Sequence, residues 1–239
     1  AEIIPVNSGS ATLVDAVSEC MRYYVSNCNT THLAVGSAIG ANVFLKICAY
    51  STAQISKELK IQVMEEFGEI PKMKLVNVIG GGSSAAGFWS EFIHYPKNHI
   101  ELIGVEAKYC APLTTNAKLA ILHGAAQYCL TDKNGQIKET HSISAGLDYP
   151  GVSPLHCFLK DAGRARYCSA SDEQALAAFK LVTKLEPSVK PSLEPAHCLH
   201  EVIRLAPKLD QDEIIIYNNC GHAYKDRKII QDKIGYFPA

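Results

Sequence analysis

Short, nearly unbroken apolar runs alternate along the chain with segments whose apolar residues recur every three or four positions. The first pattern is that of strands buried on both faces, and the second that of amphipathic helices. Runs at residues 1–6, 31–35, 75–79, 100–106, 166–170 and 213–217 predict strands. Leu13, Ala16, Val17, Cys20, Met21, Tyr24 and Val25 fall at helical spacing and predict a helix ending near residues 27–29. Thr12 opens it, and Asp15 three residues on makes a variant capping box. Further helices are expected over 43–50, 52–67 (closed by Gly68 and Pro71), 85–94, 172–185 (capped by Ser171), 195–206 and from about 225. Residues 108–123 carry no clear pattern, and Asn134-Gly135 is a hairpin signal. Strands alternating with helices predict an α/β fold, a mainly parallel twisted sheet with helices on both faces. In such sheets ligands sit at the carboxyl ends of the strands.

One such end stands out. The run 75–79 leads into Gly80-Gly81-Gly82-Ser83-Ser84 and then a helical segment. Three positions without a Cβ let backbone N–H groups point inward. Ser83 and Ser84 can cap the helix or donate to an anion. A helix start adds partial positive charge, so the stretch can seat a phosphate. It is neither a Walker motif nor the dinucleotide fingerprint. A tight strand-to-helix turn with no ligand is the other reading of the same residues. Two more candidates fall at strand ends or in loops: the small-residue segment 141–151, with Asp148, and the turn Asn218-Asn219-Cys220-Gly221.

Composition changes the picture mainly by exclusion. A net charge of −1 with pI near 6.8 offers no nucleic-acid surface and no polybasic membrane patch. No apolar run is long enough to span a bilayer, and no signal or lipidation motif is present. Nine cysteines, an odd number with no C-x-x-C pair, predict free and mostly buried thiols in a reducing, cytoplasmic setting. Nine histidines form no metal-spaced cluster, and His197 and His200 read as structural or solvent-facing. The chain has 239 residues and opens without Met inside a strand-like run, which predicts a fragment or processed chain.

Several segments together resemble one family. The run from Gly135 to Val152, with Ser142-Ile143-Ser144-Ala145-Gly146-Leu147-Asp148-Tyr149-Pro150 at its centre, looks like the tryptophan synthase β subunit. So do Gly80-Gly81-Gly82-Ser83-Ser84-Ala85, Ile4-Pro5-Val6-Asn7-Ser8-Gly9-Ser10, Gly163-Arg164-Ala165-Arg166-Tyr167 and Asp172-Glu173-Gln174-Ala175-Leu176. The resemblance implies a fold-type II pyridoxal 5'-phosphate (PLP) enzyme that joins indole to L-serine, giving L-tryptophan and water. It implies a homodimer, with the tryptophan synthase α subunit as partner. Residue by residue, it places Gly80, Gly81, Gly82, Ser83 and Ser84 at the PLP phosphate and Cys220 at the pyridine nitrogen. It puts Glu186 beside the cofactor ring and Asp148 at the substrate serine side chain. Backbone carbonyls of Gly80, Tyr149 and Gly151 would hold a monovalent cation.

Departures accompany the resemblance. Ser84 stands where the family has Asn, and Cys220 where it has Ser. Gly36-Ser37-Ala38-Ile39-Gly40-Ala41-Asn42-Val43 lacks the family's Pro-His-Pro, and His222-Ala223 and Pro187 are further changes. No lysine here stands in the family's Schiff-base setting, nor is its Glu-Thr-Gly-Ala-Gly-Gln motif present. Residues 1–239 are therefore expected to form the C-terminal part of such a chain. Residues 1–50 would return from an N-terminal domain, and 51–239 would form the cofactor phosphate-binding domain. Alone they are expected to be inactive. A non-catalytic, partner-binding scaffold is the alternative.

Overall fold

The computed structural model describes residues 1–238. Its centre is a four-stranded sheet of β1 (Met73–Ile79), β2 (Ile100–Ala107), β5 (Ala165–Ala170) and β6 (Ile214–Tyr217), in the order β5-β2-β1-β6. Every pair in it is parallel, with Ile79 beside Glu106 and Met73 beside Ile214. Side chains alternate across β1 as the pleat requires. Met73, Leu75 and Ile79 join one core cluster, and Val76 and Val78 join another on the opposite face.

Helices cover both faces. α3 (Ser83–Phe88) packs on β1, and α2 (Asn42–Phe67) packs outside α3. α4 (Pro154–Asp161) lies against β5 on that side, with the antiparallel pair β3 (Lys118–Leu122) and β4 (Ala125–Cys129) next to it. The other face carries α6 (Leu193–Leu205), which touches every strand of the main sheet, with α5 (Asp172–Leu185) outside it. α1 (Leu13–Ser26) precedes these elements, and α7 (Arg227–Ile234) follows them. The parallel α/β architecture is the one the alternating pattern predicts.

Local differences have physical causes. Residues 1–6 and 31–35 form no strand. Ile3 and Ile4 are exposed, and Pro5 removes a ladder donor. Leu33, Ala34 and Val35 instead line a groove against Ala16, Val17, Cys20 and Met21 of α1. The two helices expected over 43–50 and 52–67 are one, because Thr52 returns its hydroxyl to the Cys48 carbonyl at 2.7 Å and does not break the turn. α2 therefore runs straight through residue 50 and ends at Gly68 in the left-handed conformation.

α3 stops at Phe88 rather than near 94, with Trp89 and Phe92 sunk into the core through tight turns. Ser83 and Ser84 do not cap it, since the capping position is Gly82. The hairpin turns at His123-Gly124, both at positive φ as a type I′ turn requires. Asn134-Gly135 makes a tight turn flanked only by the single bridge Thr131–Ile137. The Thr12–Asp15 box is present, Asp15 accepting from the Thr12 N–H at 3.2 Å. All nine cysteines are free, but only four are buried, and Cys20, Cys28 and Cys220 are exposed.

Arg164 ties the strands' amino ends together. Its guanidinium donates to the carbonyls of Ile93 at 2.7 Å, Phe92 at 3.0 Å and Ile100 at 3.2 Å. Arg164→Met keeps the aliphatic stem but orphans three carbonyls. It should lower unfolding free energy by roughly 2–4 kcal/mol, read by urea denaturation; a change below about 0.5 kcal/mol would deny Arg164 this role.

Candidate functional site

β1 delivers Gly80, Gly81 and Gly82 to the carboxyl edge of the sheet, where three other segments close on them. A Cβ on Gly80 would strike the Gly146 carbonyl. One on Gly81 would come within 2.5 Å of Ser37 Oγ and 3.0 Å of Ile39 Cγ2, in the small-residue turn 36–40. One on Gly82 would overlap the His156 ring, and Gly82 sits at φ +93°. Glycine at these positions is thus a packing requirement as well as a conformational one. The Gly81 carbonyl accepts from the Ser153 N–H at 3.2 Å. The Gly82 carbonyl accepts from His156 Nε2 at 2.8 Å and from the Ala86 N–H at 3.0 Å. No protein acceptor is found for the backbone N–H of Gly82, Ser83 or Ser84 among the described residues.

The Ser84 hydroxyl is already engaged. It receives the side-chain amides of Asn77 at 3.2 Å and Asn218 at 3.1 Å. Asn77 is wholly buried in β1, and Asn218 follows β6, its N–H bound to the Val76 carbonyl at 3.2 Å. Ser84 therefore joins β1, α3 and the β6 turn at one point. That turn brings in Cys220, whose thiol keeps a solvent-facing surface within crowded protein surroundings. Those surroundings push its pKa up; a hydrogen bond from Ser84 opposes the rise and the Glu194 charge adds to it. Cys220 is a neutral thiol at this edge.

The carboxylate that reaches the same edge is Glu194, in the first turn of α6. It accepts from the Gly146 N–H at 3.2 Å, Lys225 Nζ at 2.8 Å and Ser192 Oγ at 2.6 Å. Burial would raise its pKa, but the Lys225 ammonium and Ser192 hydroxyl hold it at about 2. Lys225 also pairs with Asp226 at 2.7 Å. Its pKa is raised by these partners against the opposing pull of burial, so it stays charged. Glu186 lies elsewhere. It caps the C-terminus of α5, exposed and followed by Pro187, with no side-chain partner among the described residues. The opposite end of that 14-residue helix, about 20 Å away along its axis, is the one that meets the 141–151 loop, through Asp172 and the Ile143 N–H.

Asp148 is half-buried in that loop, within 3.5 Å of the Cys110 thiol. Tyr149 is buried and hydrogen bonded through its hydroxyl to His123 Nδ1 at 2.8 Å. Gly151 packs against Tyr149, Gln127 and Cys129. The contacts of Gly80 with Gly146 and of Gly81 with Ser153 lay this loop on the glycine turn. Among the described residues, no group of His, Cys, Asp and Glu could hold a metal ion. His197 is wholly buried and bonds the Leu193 carbonyl at 2.7 Å, a structural role.

Pattern reading missed Asn77, His156 and Glu194. Asn77 carried a signal, a polar residue inside an otherwise apolar strand. Ser192 and Glu194 at the start of an amphipathic segment also marked a helix start. Nothing local marks His156.

Glu106 is a second missed group. It is wholly buried beside Ile79, and its carboxyl receives the Leu113 N–H and the Thr114 hydroxyl, both at 2.9 Å. Burial pushes its pKa up from 4.5 to about 8. Between those values the folded chain keeps a proton that the unfolded chain releases, so stability is lost as pH rises. Glu106→Gln removes the titration and keeps an acceptor. Between about pH 5 and 9, wild type should lose on the order of 2–4 kcal/mol more than the variant. Parallel urea-stability profiles for the two would count against a buried acid here.

No protein-family model matches the chain. It is 43% identical over 234 residues, 95% of its length, to the tryptophan synthase beta chain of Allorhizobium ampelinum, of which it covers 56%. The chain thus spans about half the length of the curated relative it matches. A crystal structure of a T.th. threonine deaminase aligns with a TM-score of 0.50 and 17% identity, over 70% of this chain and 55% of that one. That likeness bears on the fold, the fold-type II arrangement expected from the motifs. No helix among the described residues is long and apolar enough to cross a membrane. The resemblance carried by the motifs extends along nearly the whole sequence: this chain is a relative of the tryptophan synthase beta chain.

Proposed function

We propose that the Gly80–Ser84 turn cradles the phosphate of PLP, and that this chain serves a tryptophan synthase beta reaction. In the complete protein, that reaction joins indole and L-serine to give L-tryptophan and water. The observation that carries the reading is the glycine turn at the carboxyl end of central β1, with unpaired N–H groups at Gly82, Ser83 and Ser84. Backbone donors fixed by surrounding protein suit a phosphate without side-chain cations.

PLP, when bound, supplies an electron sink for bond breaking at an amino-acid substrate. Cys220, a neutral thiol, can meet a ring nitrogen without protonating it. Glu194 takes the place assigned to Glu186, as the ionised carboxylate at this edge. Asp148 sits on the loop that covers the turn and can receive a substrate hydroxyl. Lys225, charged and doubly paired, does not act as an amine nucleophile. Carbonyls of Gly80, Tyr149 and Gly151 are the donors a monovalent cation would use. A second copy of the chain and a tryptophan synthase alpha subunit are the protein partners this reading implies.

Gly81→Asp in the complete protein sets a Cβ against Ser37 and Ile39 and a carboxylate against the phosphate. PLP affinity, measured by equilibrium dialysis, should fall by at least about tenfold. Unchanged affinity in a folded variant would remove Gly80–Ser84 from the phosphate role and favour a scaffold that binds partners without chemistry.

A further inference from the structure

The imidazole of His156, wholly buried on α4, fills the space behind Gly82. Its Nε2 lies 2.8 Å from the Gly82 carbonyl oxygen. A carbonyl only accepts, so Nε2 carries the proton. Nδ1 is then the acceptor, and the Tyr167 hydroxyl donates to it at 3.0 Å. Trp89 meets the imidazole edge-on at 5.5 Å, and the Tyr167 ring lies against Gly104 of β2. Burial lowers the His156 pKa to about 4, so the ring is neutral and keeps one tautomer at neutral pH.

The stereochemistry of the peptide unit gives this contact its consequence. In a trans peptide the C=O and the following N–H point in opposite directions. The Gly81 carbonyl is drawn to the Ser153 N–H and the Gly82 carbonyl to His156, both from the start of α4. The N–H groups of Gly82 and Ser83 therefore face away from α4, and neither has an acceptor among the described residues. Glycine at φ +93° has little intrinsic resistance to peptide rotation, so the two anchors on its carbonyl, the Ala86 N–H from α3 at 3.0 Å and His156 from α4, together set the direction.

We propose that His156, held as its Nε2–H tautomer by Tyr167, is a positioning residue for phosphate recognition: it fixes the Gly82–Ser83 peptide so that the Ser83 N–H is presented to the phosphate. This rests on the reading of Gly80–Ser84 as a phosphate cradle and adds the group that aims its donor. His156 touches no ligand itself. Its effect belongs to the phosphate alone and not to the pyridine ring, which separates it from a general structural role.

The test compares affinities for PLP and for pyridoxal, which lacks the phosphate, in the complete protein. Wild type should prefer PLP. His156→Phe keeps a ring but loses the donor. It should weaken PLP binding about tenfold, or about 1.4 kcal/mol, while leaving pyridoxal binding unchanged. His156→Gln, which retains an amide donor, should recover most of the loss, and Tyr167→Phe should fall between. A folded His156→Phe with the wild-type ratio of affinities would overturn the proposal and leave the cradle standing. A wild-type protein indifferent to the phosphate would overturn the cradle and the proposal together. A measurement on wild type alone needs no variant to fold: the ¹⁵N shifts of His156 at pH 7 should report a protonated Nε2 and a bare Nδ1. The opposite tautomer would exclude the mechanism.

Discussion

Three consecutive residues without side chains govern how the rest of the chain meets the end of β1. Because Gly80, Gly81 and Gly82 have no Cβ, the 146 loop, the 36–40 turn and the His156 ring can each close to backbone contact. Each approach uses a different glycine, so none can be relaxed without displacing a separate element. The turn is consequently over-determined from three sides. Interiors packed this tightly transmit a displaced atom rather than absorb it.

The electrostatics at this edge divide by partner. Glu194 is ionised, because Lys225 and Ser192 satisfy it despite burial. Glu106 has hydrogen-bond donors but no ion pair among the described residues, and burial outweighs them and the weaker pull of Lys160, keeping it protonated. Desolvation also favours the neutral forms of Cys220 and His156. The Lys225 charge is taken up by Glu194 and Asp226, which leaves little free positive charge at this edge to hold an anion. An anion placed here would therefore meet backbone dipoles, whose direction the fold controls.

Much of the architecture was legible in the pattern of apolar positions. Buried parallel strands read as continuous apolar runs, and the expected helical segments formed helices even where their ends moved or two of them merged. What failed was whatever depended on a partner distant in sequence. Residues 31–35 end in the apolar run Leu33-Ala34-Val35, yet these residues face α1 instead of another strand. The hairpin formed at His123-Gly124, where His123 hydrogen bonds Tyr149 and Ser18, and not at the stronger Asn134-Gly135 signal. The site divided in the same way. The glycine turn and Cys220 sit at strand ends, where topology alone puts ligands. Choosing between Glu186 and Glu194 required knowing which end of which helix meets the 146 loop.

Cys220 has one more consequence, for redox chemistry. An exposed cysteine is ordinarily a target for oxidants and alkylating agents, and the attacking species is the thiolate. The crowding that raises the Cys220 pKa keeps that species scarce at neutral pH. The residue can therefore stand at an open edge in the thiol form, resistant to the first step of the oxidation ladder. A change in those surroundings that lowered its pKa would make it a better target for oxidants.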